Sequence, residues 1–479
     1  MARTTDETAL PSAGGAVSRS VSTATREVCR GGSAIWLMLL TASVACGART
    51  PLNVSGARVP DAALVDGGGI DAPMRPDAGT DAGPALPTCR MRPERPGTIR
   101  WSTRSEELQG QGGFTEAGDA VLPVAGREPG AIELAAFDRC TGAHLWQTPM
   151  VPGASGQAHP VVRRLAGGEL LVTNSLGAIV RYGVWSFEPD GTVRPAPLAM
   201  ERLFGFYGIA GGGRGGAVVR VATDPARLER YDSDFNLVST FDDPPRDEEC
   251  ALAVDQVVCF DGVYDLESGA PVWATDRTEI LDGTFRHVVG PAVGRETLYA
   301  AIYGISTYDL VARDLTTGRQ TFRVPLMRTN RGQTDLLIGA PVLGPDGTIY
   351  VYVNGHREGV AHTGELVAFA PDGSERWRHV QNATRQEFFQ HATHLVGNVG
   401  VVYLAVGTTV TALDAVSGEM RWQSAGGVQN TPGLSMNRAG ELLLRTDAGV
   451  GQLIVTESTG LAASPWPSRW GDHLQRNAR

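Results

Sequence analysis

The fold of this chain is decided by the stretch Thr411-Ala412-Leu413-Asp414-Ala415-Val416-Ser417-Gly418-Glu419-Met420-Arg421-Trp422. An apolar strand end is followed by Asp414, then by Gly418, and after three more residues by Trp422. Aspartate accepts backbone hydrogen bonds in a turn, and glycine supplies the positive φ angle that such a turn needs. A tryptophan on the outgoing strand fills the space between neighbouring sheets. The stretch therefore predicts a strand, a turn and a second strand, with structural roles for these three residues.

This pattern recurs along the chain. The clearest copies contain Asp138, Gly142 and Trp146; Asp265, Gly269 and Trp273; and Asp414, Gly418 and Trp422. Two degraded copies contain Asp314, Gly318 and Phe322, and Asp372, Gly373 and Trp377, and weaker ones lie at 189–191 and 231–236. The turn positions are spaced by about 46 residues on average. A second marker shares this period, namely the prolines that we expect to open strands: Pro160, Pro291, Pro341 and Pro432.

A repeat of this length is typical of the blades of a β-propeller or of helical repeats such as HEAT. The segments 347–353 and 399–406 are rich in β-branched and aromatic residues and are bounded by Asp-Gly or Asn-containing turns. Such segments favour strands over helices. The sequence therefore predicts an all-β chain that folds as a β-propeller with four-stranded blades.

The two ends of the repeat region complement each other. Residues 97–101 carry the Gly-to-Trp half of the pattern with no strands before it, and residues 456–460 carry the first half with no regular strand after it. We expect the N-terminal strand to complete the last blade, because this pairing removes an exposed sheet edge. The region from Gly97 to Gly460 corresponds to about eight repeats, which predicts eight blades. Seven blades is the alternative, if the short interval between Asn236 and Gly269 holds no blade.

The N-terminal part of the chain has the pattern of an export signal. Residues 34–45 form an apolar run, preceded by Arg26 and Arg30 and followed by Cys46. Such a run is too short for a stable membrane-spanning helix and is typical of a signal peptide. Residues 43–47 resemble a bacterial lipobox, which predicts lipidation at Cys46; ordinary signal-peptidase cleavage after Ala45 is the alternative.

Three regions follow from these features. Residues 1–46 are predicted to be the signal peptide with its lipobox. Residues 47–96 repeat Asp, Ala, Gly and Pro with few large apolar side chains, and we expect a disordered tether. Residues 97–479 are predicted to form the propeller.

Composition excludes several classes of chemistry. All 42 basic residues are arginine, so the chain has no side-chain amine for Schiff-base, P-loop or kinase-type chemistry. The net charge is −10 and no basic block is present, which gives nucleic-acid binding no electrostatic support. The 60 glycines are about twice the usual share and indicate many turns.

The repeats resemble those of the PQQ-like (pyrroloquinoline-quinone-like) family, whose blades carry an Ala-Leu-Asp-x-x-Thr-Gly-x-x-x-Trp signature. Residues 411–422 are close to this signature, and residues 465–473 resemble a Trp-Pro segment at the ends of such propellers. The resemblance covers about residues 97–479 and implies a propeller fold. The family includes quinoprotein dehydrogenases and non-catalytic envelope lipoproteins, such as the propeller subunit of the outer-membrane β-barrel assembly machine, so the resemblance alone does not define a function.

The quinoprotein branch implies a calcium site, a catalytic aspartate and often a disulfide between adjacent cysteines. No two cysteines are adjacent here, and no residue of this sequence matches those roles. Cys250 and Cys259 flank a strand-turn-strand pattern, so we expect a disulfide across a hairpin, which an exported protein allows. A second disulfide between Cys89 and Cys140 is a hypothesis that pins the end of the tether to the first blade.

Other candidate sites are interpreted as structural. His391 and His394 are three residues apart and face opposite sides of a strand, which is unsuitable for a shared metal. The glycine-rich stretch 210–216 lacks the lysine of a phosphate-binding loop and is predicted to be an ordinary loop. We therefore predict no catalytic, cofactor or metal site.

These features favour a monomeric, lipid-anchored protein of the cell envelope whose propeller binds protein partners. The alternative is an exported PQQ-dependent oxidoreductase with degenerate motifs.

Overall fold

The computed structural model describes residues 89, 94–104, 112–115, 117–125, 132–151, 161–164, 170–176, 181–187, 191–192, 198–200, 209–211, 217–221, 227–231, 236–242, 250–253, 256–275, 285–304, 307–328, 337–355, 363–382, 393–406, 409–424, 433–445 and 450–464. All of them belong to the compact unit Gly79–Arg479. The predicted signal peptide with Cys46, nearly all of the predicted tether and the tail 465–479 lie outside the described residues.

Within the described part of the chain, every regular element is a β-strand, which confirms the all-β prediction. These strands form eight separate antiparallel sheets, which we number 1 to 8 along the chain. Sheets 1 to 3 contain β2 (Gly113–Phe114), β3 (Ala120–Ala125), β4 (Ile132–Phe137) and β5 (His144–Val151); β6 (Val161–Arg164), β7 (Leu170–Leu176), β8 (Arg181–Phe187) and β9 (Leu198–Met200); and β10 (Ile209–Gly211), β11 (Ala217–Val221), β12 (Arg227–Tyr231) and β13 (Leu237–Asp242).

Sheets 4 to 6 contain β14 (Cys250–Ala253), β15 (Gln256–Cys259), β16 (Gly262–Asp265) and β17 (Pro271–Ala274); β18 (Phe285–Val293), β19 (Thr297–Gly304), β20 (Thr307–Asp314) and β21 (Gln320–Arg328); and β22 (Leu337–Ile338), β23 (Val342–Leu343), β24 (Ile349–Gly355), β25 (Thr363–Phe369) and β26 (Glu375–Asn382). Sheets 7 and 8 contain β27 (Thr393–Gly397), β28 (Val401–Val406), β29 (Thr409–Asp414) and β30 (Met420–Gln423); and β31 (Gly433–Met436), β32 (Leu442–Arg445), β33 (Val450–Ile454) and β1 (Ile99–Arg104).

In sheets 1 to 5 and in sheet 7 each strand pairs antiparallel with the next one along the chain. Sheet 6 has five strands rather than the predicted four, because its first strand is split into β22 and β23, both paired with β24. Pro341 lies at this break, and proline has no N–H for the ladder. The expectation that prolines open strands is wrong for Pro291, which lies inside β18 at a register shift between Val289 and Ala292.

Sheet 8 combines the two ends of the described chain. Its strands β31, β32 and β33 are consecutive, whereas β1 pairs antiparallel with β33, from Ile99 opposite Ile454 to Arg104 opposite Val450. Backbone hydrogen bonds extend this pairing, since the Gly97 N–H donates to the Val455 carbonyl and the Val455 N–H donates to the Thr98 carbonyl. The N-terminal strand therefore takes the fourth position of the last sheet.

The short interval between Asn236 and Gly269 joins two different sheets. Asn236 lies before β13 in sheet 3, whereas Gly269 lies between β16 and β17 in sheet 4. Each strand of sheet 4 has four residues, and only two residues connect β14 to β15 and β15 to β16. Short strands and tight turns account for the short interval.

The core lies between neighbouring sheets. All six residues of β28 are buried, because its two faces pack against different sheets, whereas β30 at the edge of the same sheet is mostly exposed. Apolar clusters join sheet 5 to sheet 6, sheet 6 to sheet 7, and sheet 7 to sheet 8. Continuous apolar runs such as 401–406 are therefore strands that are covered on both faces.

Candidate functional site

The repeated aspartates bind the turns between the third and fourth strands of their sheets. Oδ1 of Asp138 accepts the N–H of Cys140 at 3.0 Å, the N–H of Thr141 at 2.7 Å and the Thr141 hydroxyl at 2.7 Å. That hydroxyl accepts in turn from the N–H of Ala143 at 3.1 Å. The hydrogen bonds from Thr141 hold the pKa of Asp138 below its usual range, because they favour the ionised carboxylate.

The same turn is built at three further copies. Asp265 binds Ser268, Asp314 binds Thr317, and Asp414 binds Ser417 through both the N–H and the hydroxyl. Asp414 also accepts from Nη2 of Arg421 at 2.7 Å, and this guanidinium contact together with the turn N–H groups lowers its pKa to about 2. The carboxylates are thus committed to turn formation, which is the structural role that the sequence predicts for them.

Each repeated aromatic ring packs on the turn of the next sheet. A Cβ built on the turn glycine would lie 2.5 to 2.9 Å from that ring in six pairs: Trp101 on Gly142, Trp146 on Gly191, Trp273 on Gly318, Phe322 on Gly373, Trp377 on Gly418 and Trp422 on Gly97. In all six the glycine has a φ between +70° and +86°. Glycine is therefore required at each of these positions for two reasons: the backbone conformation and the close approach of the ring.

The indole N–H groups of three of these tryptophans bind the same turn that their rings cover. They donate to the carbonyl that follows the turn aspartate: Trp101 to Arg139 at 3.1 Å, Trp273 to Leu315 at 2.7 Å and Trp377 to Ala415 at 3.1 Å. A buried indole N–H needs such an acceptor. Together the ring contact and the hydrogen bond orient one sheet relative to the next.

At the junction of sheets 7 and 8 the indole N–H of the repeated tryptophan has a different acceptor. The turn there is made of residues from both ends of the described chain, and Trp422 donates instead to Oε2 of Glu457 at 2.8 Å. Oε2 of Glu457 also accepts from the Tyr403 hydroxyl at 3.3 Å. A side-chain carboxylate thus replaces the backbone carbonyl used in the other turns.

A buried ionic cluster joins sheets 8 and 1. Nη1 of Arg100 forms an ion pair with Oε1 of Glu441, and Nη1 of Arg139 lies 3.2 Å from Oε2 of Glu441. Nε of Arg100 lies 2.8 Å from Oε2 of Glu94, and Nδ2 of Asn437 donates to Glu441 at 2.7 Å. The side chains of Arg100, Arg139 and Glu441 are 9%, 5% and 6% exposed. We call Glu94, Arg100, Arg139 and Glu441 the junction cluster.

The four cysteines for which we predicted pairs form two disulfides. Cys250 and Cys259 lie directly opposite each other on β14 and β15, with Cα atoms 4.3 Å apart. Cys89 is bonded to Cys140 in the Asp138 turn of sheet 1, with Cα atoms 5.4 Å apart. The second bond connects Cys89, which precedes Glu94 of the junction cluster along the chain, to sheet 1.

His394 lies on β27 and is fully buried. Its Nε2 lies 3.0 Å from the carbonyl oxygen of Tyr350, and burial lowers its pKa to about 4. His391, the other histidine of the pair, lies outside the described residues.

Among the residues that are described, no group of three or more His, Cys, Asp or Glu side chains is placed to hold a metal ion. The part of the chain described here also contains no helix long and apolar enough to cross a membrane.

The structure also shows an exposed apolar surface at one sheet. Val416, Met420 and Val399 of sheet 7 are 81%, 56% and 43% exposed. The turn that carries Val399 is joined to the turn that carries Val416, because the N–H of Ala415 donates to the Gly400 carbonyl at 2.9 Å, and Met420 begins β30 after the second turn. We call these three residues the apolar turn surface.

Two kinds of contact residue were missed by sequence reasoning. Tyr299, Tyr350 and Tyr403 pack against the repeated aromatic residue of their own sheet, with ring centroids 5.7 to 6.3 Å apart. The sequence contained a signal for them, since each tyrosine directly follows an apolar residue in strand β19, β24 or β28. The junction cluster carries no such signal, because its members lie in unrelated parts of the sequence.

No protein-family model and no curated protein sequence matches this chain. Solved structures do resemble it in fold. The Dos1 propeller is 7% identical with a TM-score of 0.51, covering 75% of this chain and 94% of its own. The computationally designed Ika8 protein is 12% identical with a TM-score of 0.51, covering 75% of this chain and 99% of its own. BamB from Moraxella catarrhalis is 18% identical with a TM-score of 0.46, covering 74% of this chain and 96% of its own.

Likeness at these identities concerns the fold alone. Together with the separate antiparallel sheets and their ring-on-turn contacts, the similarity to the Dos1 propeller defines the class of this protein as a β-propeller.

Proposed function

We propose that this chain is an exported protein of the cell envelope, anchored by a lipid at Cys46, whose closed eight-bladed β-propeller binds other proteins. The eight sheets would be the blades, and the pairing of β1 with β33 would close the ring. The proposal includes no enzymatic reaction and no cofactor. The propeller would act as a monomer, held at a distance from the membrane by residues 47–96.

The apolar turn surface is the observation that carries the protein-binding part of the proposal. Exposed apolar side chains that cluster on a soluble protein often mark a contact with a partner. At the position of Val416 two of the other repeats carry polar residues, namely Glu267 and Thr316. The turn itself therefore does not require an apolar side chain at this position.

Export is supported by the two disulfides. Bonds between Cys89 and Cys140 and between Cys250 and Cys259 fit an oxidising compartment, where disulfides form and persist. The apolar run 34–45 with the adjacent Cys46 supplies the corresponding signal in the sequence.

Site-specific crosslinking tests the binding role. A photo-crosslinking amino acid would replace Val416 in cells that make the full chain, and the matched control would carry it at Glu267, the same position of another turn. We expect a discrete crosslinked envelope protein from position 416 and none at that mass from position 267. Equal products from both positions, or none from position 416, would contradict the proposed surface.

Fatty-acid labelling tests the anchor. Cells fed a clickable fatty acid should label the wild-type protein, whereas Cys46→Ser should be unlabelled and should leave the membrane fraction. Labelling that persists in Cys46→Ser, or its absence in the wild type, would refute lipidation at this residue.

The alternative function is that of an exported PQQ-dependent oxidoreductase with degenerate motifs, since the family that the repeats resemble includes quinoprotein dehydrogenases. Adding PQQ and calcium to the purified protein should then produce a spectral change and dye reduction with alcohols or sugars. If neither occurs, this alternative is removed.

A further inference from the structure

Strand β1 joins the N-terminal end of the described chain to sheet 8. It lies at the sheet edge, and within the described residues its one strand partner is β33. Yet two neighbouring sheets depend on its position. Trp101 on β1 packs on Gly142 of sheet 1, and Gly97, just before β1, receives Trp422 of sheet 7.

A pull on the chain N-terminal to β1 would act on this strand from its N-terminal end. The chain enters β1 at Ile99, opposite Ile454, and continues to Arg104. Tension applied before Ile99 would separate the residue pairs of β1 and β33 one after another, from Ile99–Ile454 towards Arg104–Val450. Peeling of this kind needs little force, because only one pair resists at a time, and terminal strands are ordinarily the first elements to open.

The Cys89–Cys140 disulfide changes the route that such a force takes. The bond closes a covalent loop that contains all of β1, β2, β3 and β4. Tension on the chain before Cys89 passes through the sulfur atoms into the turn of sheet 1, so the 50 residues between the two cysteines carry no load. Cys140 is itself held, since its N–H donates to Oδ1 of Asp138 at 3.0 Å.

The junction cluster surrounds this covalent joint. Nη1 of Arg100 lies 3.4 Å from Sγ of Cys89, and the same guanidinium binds Glu94 and Glu441. Arg139, the neighbour of Cys140, binds Glu441 as well. Glu94 is therefore tied to sheet 8 through Arg100, and Cys89 to sheet 1 through Cys140, at the point where the force would enter.

We propose that the Cys89–Cys140 disulfide is a force shunt, which carries tension from the N-terminal segment into sheet 1 and leaves β1 paired with β33. The source of tension rests on the proposed function, since a lipid at Cys46 and a bound partner would pull the chain from two sides. The shunt itself depends only on the position of the disulfide relative to β1.

Single-molecule stretching tests the shunt. The full chain with Cys46→Ser would carry a lysine-free N-terminal peptide tag as one handle. The chain contains no lysine, so Thr316→Lys, at an exposed turn position of sheet 5, supplies one side-chain amine for the second handle. Three proteins would be stretched in oxidising buffer: the protein with both disulfides, Cys89→Ser/Cys140→Ser, and the matched control Cys250→Ser/Cys259→Ser.

We expect an early, low-force step in Cys89→Ser/Cys140→Ser alone. Its length should be at most about 55 Å, the extended length of the 16 residues 89–104 at 3.3–3.6 Å per residue, less the distance that they span in the folded protein. The control variant loses a disulfide whose loop does not contain β1, so it should show no early step, as in the protein with both disulfides. An early step of the same force and length in all three proteins, or in none, would overturn the proposal.

A second measurement does not require Cys89→Ser/Cys140→Ser to fold. A single Cys250→Ser/Cys259→Ser molecule, which keeps only the Cys89–Cys140 bond, would be stretched before and after a dithiol is added. The early step should appear only after reduction, and its absence then would count against the shunt. The stretching experiments use purified protein without a membrane. A negative result would therefore contradict the force shunt and would not bear on the lipidation and crosslinking tests.

Discussion

Trp377 and Gly418 form a contact that leaves no space for a side chain at the glycine. The ring of Trp377, in sheet 6, covers the turn of sheet 7, and a Cβ on Gly418 would lie 2.6 Å from the ring. Gly418 also has a φ of +73°, which L-residues with a side chain rarely adopt. The repeated glycine therefore links the conformation of a turn to the packing of two sheets.

We predict that Gly418→Ala destabilises the protein by about 2–4 kcal/mol, because it adds a clash to the cost of the left-handed backbone. Gly400→Ala is the matched control: Gly400 has a φ of +69°, but nothing lies within 4 Å of the position that a Cβ would take there. It should cost only about 1 kcal/mol. Denaturant unfolding measures both, and equal losses would show that the ring contact contributes nothing.

Glu441 is predicted to be the most sensitive charged residue of the junction cluster. Glu441→Gln would leave the guanidinium groups of Arg100 and Arg139 buried without their shared carboxylate. Removing one partner from a buried ionic group typically costs about 3–5 kcal/mol. Hydrogen exchange should locate the loss, with faster exchange in β1 than in the strands of sheet 5.

Glu375→Gln provides the comparison for this variant. Glu375 pairs with Arg378 at 2.8 Å, but its side chain is 44% exposed, and Arg378 keeps its second partner, Glu365. We expect a loss of less than about 1 kcal/mol. A similar loss for both variants would mean that burial of the junction cluster has no energetic consequence.

His394 should make stability depend on pH between about 6.5 and 4. Its pKa is lowered from 6.5 to about 4 by burial, so the unfolded chain binds a proton in this range and the folded protein does not. The contribution of the neutral His394 side chain to the free energy of unfolding is therefore fully present above pH 6.5. It is lost as the pH is lowered, by up to about 3 kcal/mol near pH 4. His394→Gln keeps a donor for the Tyr350 carbonyl and should remove this part of the pH dependence. Parallel profiles for the two proteins between pH 6.5 and 4.5 would contradict the assignment.

The two disulfides should differ in their contributions to stability. The Cys89–Cys140 bond closes a loop with a sequence separation of 51, and the Cys250–Cys259 bond one of 9. If chain entropy dominates, losing the first should cost about 4 kcal/mol and losing the second about 3 kcal/mol. Serine pairs measured by denaturation give the order. Peptide mapping of the unreduced protein checks the bonds themselves, and free thiols at Cys89 and Cys140 would remove the basis of the force shunt.

Much of the fold was predictable because the repeat is local. Asp138 and Thr141 are three residues apart, so the turn that they form is determined by neighbouring residues, and its spacing is visible in the sequence. The interrupted first strand of sheet 6 was not predicted, although Pro341 marks it, because a proline signals a missing N–H without showing which strand pair loses it. The apolar turn surface was also missed, since a single valine at position 416 has no meaning until its neighbours in the other turn are known.

The strands, the turns and the glycines that must remain glycine follow from the local sequence, since these features depend on residues within a few positions of each other. The tertiary structure alone decided which turn each tryptophan covers and how the ends of the chain are joined. Glu441 meets Arg100 across 341 residues and Arg139 across 302, and no local property of the chain constrains such pairs. They are set by the packing of whole sheets, which places β1 beside β33 and brings their neighbouring turns into contact.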